Sequence, residues 1–291
     1  MHEMSMLEKL HKSSISITDI ASQYWCERQM ELNYRYGKSI TEAIKKGRYI
    51  HEELEEQVNI PIILQPKGYA DALYKSLYTS YMALNVLAND KKTREVVIYG
   101  SANGYKLVGK IDQLEIKDGE LFIVEDKTRG NDNIPSDAQR LTHKVQVIFY
   151  YRLLRDIKEQ SYTIENFKIA YRTDKLSLTE EFTRQLSALG VKESLYTVDA
   201  IAREYFKSII NLPELSDMLT IRYINQFTGK EIKAYKLKYD GGEAEGMLRY
   251  ILKYWNGERE ALPVPKEESW KCRYCVFYGK ECRVWWPQKQ L

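Results

Sequence analysis

Long apolar runs are missing from this chain. No stretch approaches the ~18 consecutive apolar residues that a membrane span needs. Residues 1–14 also lack the apolar centre of a secretory leader. The expectation is a soluble, cytoplasmic or otherwise intracellular protein with no membrane partner. An excess of one charge sign is missing too: the formal net charge is +3, with 29% of residues charged. That mildly basic balance is compatible with nucleic acid as a partner without arguing for it. Cysteine is scarce, with four in 291 residues at Cys26, Cys272, Cys275 and Cys282. Four are too few for a secreted disulfide framework, and in a reducing compartment they read as metal ligands. The four histidines, His2, His11, His51 and His143, carry no metal role unaided. Internal repeats and low-complexity tracts are absent.

What is present suffices for a full core: 44% hydrophobic residues, enough for one large domain or two small ones. Helical spacing runs over residues 16–36, with Ser16 or Thr18 as N-cap, and again over 40–58 and 69–87. The period then changes to strands at 96–102, 105–117 and 120–128, with Asp118-Gly119 as a two-residue hairpin turn. A helix at 136–155 follows Pro135, then a strand at 162–173 and a helix at 191–210. A second hairpin is expected from 219–226 and 231–239 across 227–230, with a last helix at 246–255. This strand–helix–strand order predicts an α/β fold, a mixed sheet flanked by helices.

The first hairpin creates a constellation. If Lys117 pairs with Glu120, counting outwards sets Asp112 opposite Glu125, and such pairs share a face with Cβ atoms ~4.5–5.5 Å apart. Lys127 points the same way, and Leu114, Ile116, Leu121 and Ile123 make up the rest of that face. Two carboxylates ending an apolar stripe repel one another and lose hydration unless a cation joins them. Mg²⁺ or Mn²⁺ suits those oxygens and leaves room for water and phosphate. Lys127 would orient or help deprotonate the attacking water and stabilise phosphoryl charge. Asp126 should face the other way and is given no metal. Arg129, two residues on, could hold a neighbouring phosphate. Gln139, His143, Gln146 and Tyr150 recur at helical spacing on one face, a polar stripe useful beside a substrate strand.

Cys272-x₂-Cys275-x₆-Cys282 is a compact three-thiolate loop, so Cys26 must supply the fourth ligand if all serve one site. Tetrahedral zinc and a 4Fe–4S cluster both fit four thiolates, and one lone ligand with three clustered tilts towards iron–sulfur. Either would close a very long loop, so losing it should destabilise the whole fold.

Taken in order, these pieces resemble the iron–sulfur branch of the RecB-like PD-(D/E)XK nucleases. The residues that carry the likeness are Cys26, His51, Gly109 to Asp112, Glu125 to Lys127, Gln146 to Tyr150 and the Cys272, Cys275, Cys282 set. The stretch 125–129 followed by Pro135 and Gln139, together with 221–229, is closer still to exonuclease V. The resemblance implies a restriction-endonuclease-like fold whose N- and C-terminal segments are joined by a 4Fe–4S cluster on the four cysteines. It implies a helical region at 1–92, a nuclease core with an inserted helix and hairpin at 93–261, and a cysteine loop at 262–291. His51, Asp112 and Glu125 would ligate the catalytic metal, Lys127 would be the catalytic lysine, and Gln146 and Tyr150 would form the motif helix beside DNA. Arg129 and Gln139 are DNA-contact candidates.

The implied activity is metal-dependent hydrolysis of single-stranded DNA from an end, 5′ to 3′ with the strand threaded through a monomer, in repair or replication. No Gly-x-x-x-x-Gly-Lys-Ser/Thr is present, so ATP-driven unwinding would fall to a helicase partner, with a single-strand-binding protein as another. Three other readings stand beside this one. CRISPR-adaptation nucleases share the motifs but lack much of the stretch 162–239. A non-catalytic single-strand DNA clamp could stack bases on Tyr274, Phe277, Trp285, Trp286 and others among 23 tyrosines. The last is a zinc-stabilised protein of unrelated function.

Overall fold

The computed structural model describes residues 4–38, 42–56, 58, 59 and 62–285; some side chains of the third helix, His51 among them, lie outside what is described. The chain opens with α1 (Met6–Lys9), β1 (Ile15–Ser16) and α2 (Ile17–Tyr36). Ser16 caps α2: its hydroxyl accepts from the Asp19 amide at 3.0 Å, and Asp19 accepts the Ser16 amide in return at 2.9 Å. Next come α3 (Glu42–Glu56) and α4 (Tyr69–Asp90), then β2 (Lys92–Ala102), β3 (Tyr105–Lys117) and β4 (Glu120–Arg129). Asp118 and Gly119 have φ of 53° and 83°, so the tight hairpin expected there forms, with Lys117 opposite Glu120. Ser136 caps α5 (Asp137–Lys158).

The strand expected at 162–173 does not form. That stretch is α6 (Ile164–Tyr171), opened by a reciprocal cap between Thr163 and Asn166. Phe167 and Tyr171, one turn apart, are buried with ring centroids 4.4 Å apart. The β-branched and aromatic content suggests a strand, but the cap and the i,i+4 aromatic pair select the helix. A helix absent from the sequence reading follows, α7 (Glu180–Ala188), and the expected 191–210 helix shortens to α8 (Val198–Ile210), capped by Thr197. Then come β5 (Glu214–Leu215), β6 (Met218–Asn225), β7 (Glu231–Lys238) and α9 (Gly241–Trp255).

β2, β3, β4, β6 and β7 lie side by side, antiparallel except for β4 with β6. β1 runs parallel to β3 at Leu107 and Val108, and β5 pairs the start of β4. The connection from β4 to β6 carries α5 to α8 and then the short β5, so the insertion is mainly helical. One hydrophobic core extends from Leu10 to Ala261 and includes residues of α2, α4, α5, α8, α9 and the sheet. Two glycines let α5 settle close to the sheet. A Cβ on Gly100 would lie 2.5 Å from Leu153 Cδ2, and one on Gly109 would lie 2.6 Å from Tyr150 Cε1. Among the described residues no helix is long and apolar enough to cross a membrane.

Candidate active site and thiol cavity

The β3–β4 ladder runs from Lys117↔Glu120 to Gln113↔Val124 and stops. One step further, by the same count, stand Asp112 and Glu125. Beyond them β3 accompanies β1 while β4 continues beside β6, where Glu125 pairs with Ile221. The two acids therefore sit where the strands part, at the end of the buried stripe of Leu114, Leu121 and Ile123. Glu125 is 0% exposed and Asp112 8%. The Asp126 amide donates to Asp112 Oδ2 at 3.0 Å, tying one carboxylate across the opening. On the other side of β3, the step of β2 facing Asp112 is Glu95, held at φ 58° between the pairs Arg94↔Gln113 and Val96↔Ile111. Its carboxylate forms an ion pair with Lys110.

Lys127 Nζ lies 2.5 Å from Glu125 Oε1 and donates to Gln146 Oε1 at 3.1 Å; Gln146 Nε2 then donates to Tyr150 Oη at 2.8 Å. Three short motifs are thus one mechanical unit. Gly109 leaves room for the Tyr150 ring, Tyr150 steadies Gln146, and Gln146 steadies the lysine. Burial, with the Asp112 charge adding to it, pushes the Glu125 carboxyl well above its ordinary range despite the nearby ammonium. Burial pulls Lys127 down, but Glu125 and Asp112 together more than offset this and raise it. Despite that ion pair, neither Glu125 oxygen, both buried, receives a well-directed hydrogen bond. A buried carboxylate short of donors, with a second one beside it, is a fitting oxygen set for a hard divalent cation. No three His, Cys, Asp or Glu among the described residues group as ligands for a single metal ion. His51, the third expected ligand, stands in α3 with its side chain outside the described residues.

Asp126 faces the other side of the sheet, as the alternation requires. It lies 2.8 Å from Arg94 Nη1 and 2.7 Å from Arg222 Nε, and Gln113 accepts from both arginines. Burial raises its pKa, and the two guanidinium groups reverse that into a net depression. This clamp joins β2, β4 and β6 beneath the acids and was not foreseen. The signal in the sequence was an acid within a buried strand, which demands cationic partners without saying which.

The remaining candidates divide. His143 Nδ1 is 2.9 Å from Tyr223 Oη on β6, and burial, then the Lys127 and Arg129 charges, push its pKa down to about 3, leaving it neutral. Arg129 Nε is buried without a hydrogen-bond partner. Gln139 is engaged at the start of α5, where its Oε1 accepts from the Ser136 amide at 3.3 Å.

The four cysteines line one small cavity with Trp25, Leu32 and Val264. Within α2, Cys26 has extended backbone angles (φ −170°, ψ 109°), so the helix breaks there and restarts. Its Sγ accepts from the Gln29 amide at 3.4 Å, the position of an N-cap for the second half. The Arg28 amide is given to the Leu262 carbonyl at 3.0 Å. Around this break the C-terminal segment is fastened to α2: Arg259 and the Leu262 amide bind Glu27, and Trp255 Nε1 donates to Gln23. Burial raises the Cys26, Cys272 and Cys275 thiols, with neighbouring thiolates adding to it. Ionising such a set calls for a positively charged centre among the sulfurs.

The chain matches the family model described as Exonuclease V, a 5′ deoxyribonuclease, over residues 4–120, 115–208 and 192–286. It is 27% identical over 301 residues to Exonuclease V of Danio rerio, covering 95% of this chain and 72% of that protein. A 36% identity over 66 residues links it to the mitochondrial Exonuclease V of Candida tropicalis, over 23% of this chain and 11% of the relative. Among solved structures it is similar to SSO0001, with a TM-score of 0.46, 14% identity, and coverage of 93% of this chain and 90% of the other.

Proposed function

The chain belongs to the exonuclease V family, and from that premise we propose that it is a metal-dependent exonuclease acting on single-stranded DNA from an end, in the 5′ to 3′ sense. The observation that carries this reading is the pair of buried carboxylates at the fork of β3 and β4, with Lys127 held against them. The family match also covers residues 162–239, the stretch that CRISPR-adaptation nucleases largely lack.

Asp112 and Glu125 would hold Mg²⁺ or Mn²⁺, with His51 as a third ligand by family likeness. The ion would polarise the scissile phosphate and make a bound water more acidic. Lys127, held against Glu125, would orient or help deprotonate the attacking water and place positive charge beside the phosphoryl oxygens. Its ammonium can donate to the attacking water and to a phosphoryl oxygen while Gln146 fixes its direction. Arg129 on the same strand face would steady the next phosphate. Cys26, Cys272, Cys275 and Cys282 would hold a 4Fe–4S cluster, whose part is to close the chain around the nuclease core.

The test uses single-stranded oligonucleotides labelled at either end, with Mg²⁺ or Mn²⁺, and protein purified anaerobically. Label released first from the 5′ end establishes the polarity, and the activity should vanish in Glu125→Ala. Lys127→Met should lower the cleavage rate about 10²–10⁴-fold while leaving strand binding intact. A cluster-loaded wild type that binds the strand without cutting it would refute the nuclease reading.

A further inference from the structure

Phe227 is a large aromatic at the tip of the β6–β7 hairpin, and it is 67% exposed. The tip beneath it is firmly built. Asn225 Oδ1 accepts the amides of Phe227 at 2.8 Å and Thr228 at 3.1 Å, and its Nδ2 donates to Asp132 at 2.6 Å. The Gly229 amide donates to the Asn225 carbonyl at 2.8 Å, with Gly229 at φ 67°. The Gln226 amide donates to the Arg129 carbonyl at 2.8 Å, so the tip is fastened to the end of the strand that carries Glu125 and Lys127. Gly130 is as close as a residue can come: a Cβ there would lie 2.8 Å from Gln226 Nε2 and 3.8 Å from the Phe227 ring.

From the other side, Lys46 of α3 places its Nζ 3.5 Å from the centre of the Phe227 ring. One residue on, Gly47 brings α3 against Thr128 of β4. An exposed ring on a rigid tip and a lysine over it therefore gather at the end of the catalytic strand. Cations that track a backbone beside an aromatic face are the ingredients of a single-strand binding site. The register fixes its distance from the chemistry. β4 pairs β6 at Glu125↔Ile221 and Arg129↔Asn225, and four residues of strand span about 13 Å. Phe227 lies two residues beyond, several nucleotides' reach from the fork.

We infer that Phe227 is a base-stacking subsite: it takes one nucleobase of the strand at a fixed distance from the cleaved phosphate, with Lys46 beside it for a flanking phosphate. This rests on the exonuclease reading and deepens it. The ring stacks on any base, so the subsite sets register and grip without selecting sequence.

The experiment measures binding to single-stranded oligonucleotides carrying one abasic residue, moved position by position from the end, in full-length protein bearing Glu125→Ala. One position should weaken binding roughly five- to a hundredfold, the range that base–aromatic stacking supplies. Phe227→Ala should lose the same factor on the intact strand and no more on the strand abasic at that position, whereas Phe227→Trp should restore the intact profile. An abasic profile that is the same in Phe227→Ala, or Trp and Ala variants that are equally weak, would overturn the subsite. Those outcomes leave the nuclease standing if wild-type protein still cuts in a Glu125-dependent way. A wild type that cuts nothing fails the function itself, and the subsite with it.

Discussion

Gly109 shows how a motif residue acts through space rather than chemistry. It has no side chain to offer substrate or metal, yet the Tyr150 ring occupies the volume a side chain would fill, and an added Cβ would also lie 2.8 Å from Ile17 Cγ1. Gly109→Ala should destabilise the protein by about 1–3 kcal/mol, as overpacking of a tight core does. It should also cut activity more than stability explains, because a displaced Tyr150 releases Gln146 and then Lys127. Urea denaturation and cleavage rates on the same preparation separate the two effects, and a loss of stability alone would break the proposed linkage. At this scale the sequence was readable where residues act locally: Asp112, Glu125, Lys127, Gln146 and Tyr150 meet because a hairpin and a helix face dictate it. It was opaque for Arg94, which reaches Asp126 across β3 from β2, and for Arg222, whose approach depends on β6 coming back beside β4 after a long, mainly helical connection.

Elements follow the same division. The β3–β4 hairpin was legible because Asp-Gly supplies two positive φ values at no steric cost to the glycine. Gly119→Ala should cost about 1–2 kcal/mol, measured as a shift in the denaturation midpoint, because a Cβ disfavours that left-handed geometry. α6 was misread because Tyr162, Ile164, Phe167 and Tyr171 favour strands by composition, and only the Thr163–Asn166 cap and the ring stack reveal the helix. The break of α2 at Cys26 was invisible, since the partner that takes the Arg28 amide there, the Leu262 carbonyl, is distant in sequence.

The clamp across β2, β4 and β6 makes a pH prediction. Asp126→Asn leaves two guanidinium groups facing a neutral amide and should cost about 3–5 kcal/mol near neutrality. The folded-state pKa of Asp126 is depressed, so its contribution is complete above the unfolded carboxylate value, about 3.9, and is lost as pH falls through the lower folded value. The gap in stability between wild type and Asp126→Asn should therefore stay level down to about pH 4 and shrink only below it. A gap that closes between pH 7 and 5 would show that Asp126 is not held ionised by the arginines.

Across the whole molecule, the thiol cavity unites α2 with the segment after α9, and the catalytic fork lies in the chain between them. A cluster there, as proposed, would close a loop spanning most of the fold. Cys26→Ser should abolish the visible absorbance of the loaded protein and lower its stability, by on the order of 2–5 kcal/mol if such closure acts as a structural disulfide does. Urea midpoints and absorbance on anaerobic protein measure both. An unchanged midpoint with lost colour would assign the cluster a role other than holding the fold. Four cysteines and their spacing were plain in the sequence, but that Cys26 would leave its helix to face the others was not.

The placement of those four sulfurs also sets the order in which a cluster site could come into being. Cys26 is translated long before Cys272, Cys275 and Cys282, and the nuclease strands lie between them. If the sulfurs hold a cluster as proposed, no site for it exists on the growing chain until every strand of the sheet has been made. Delivery would then meet a polypeptide whose nuclease strands have already had time to pair, and a cell short of iron would accumulate the protein unfastened at the cavity.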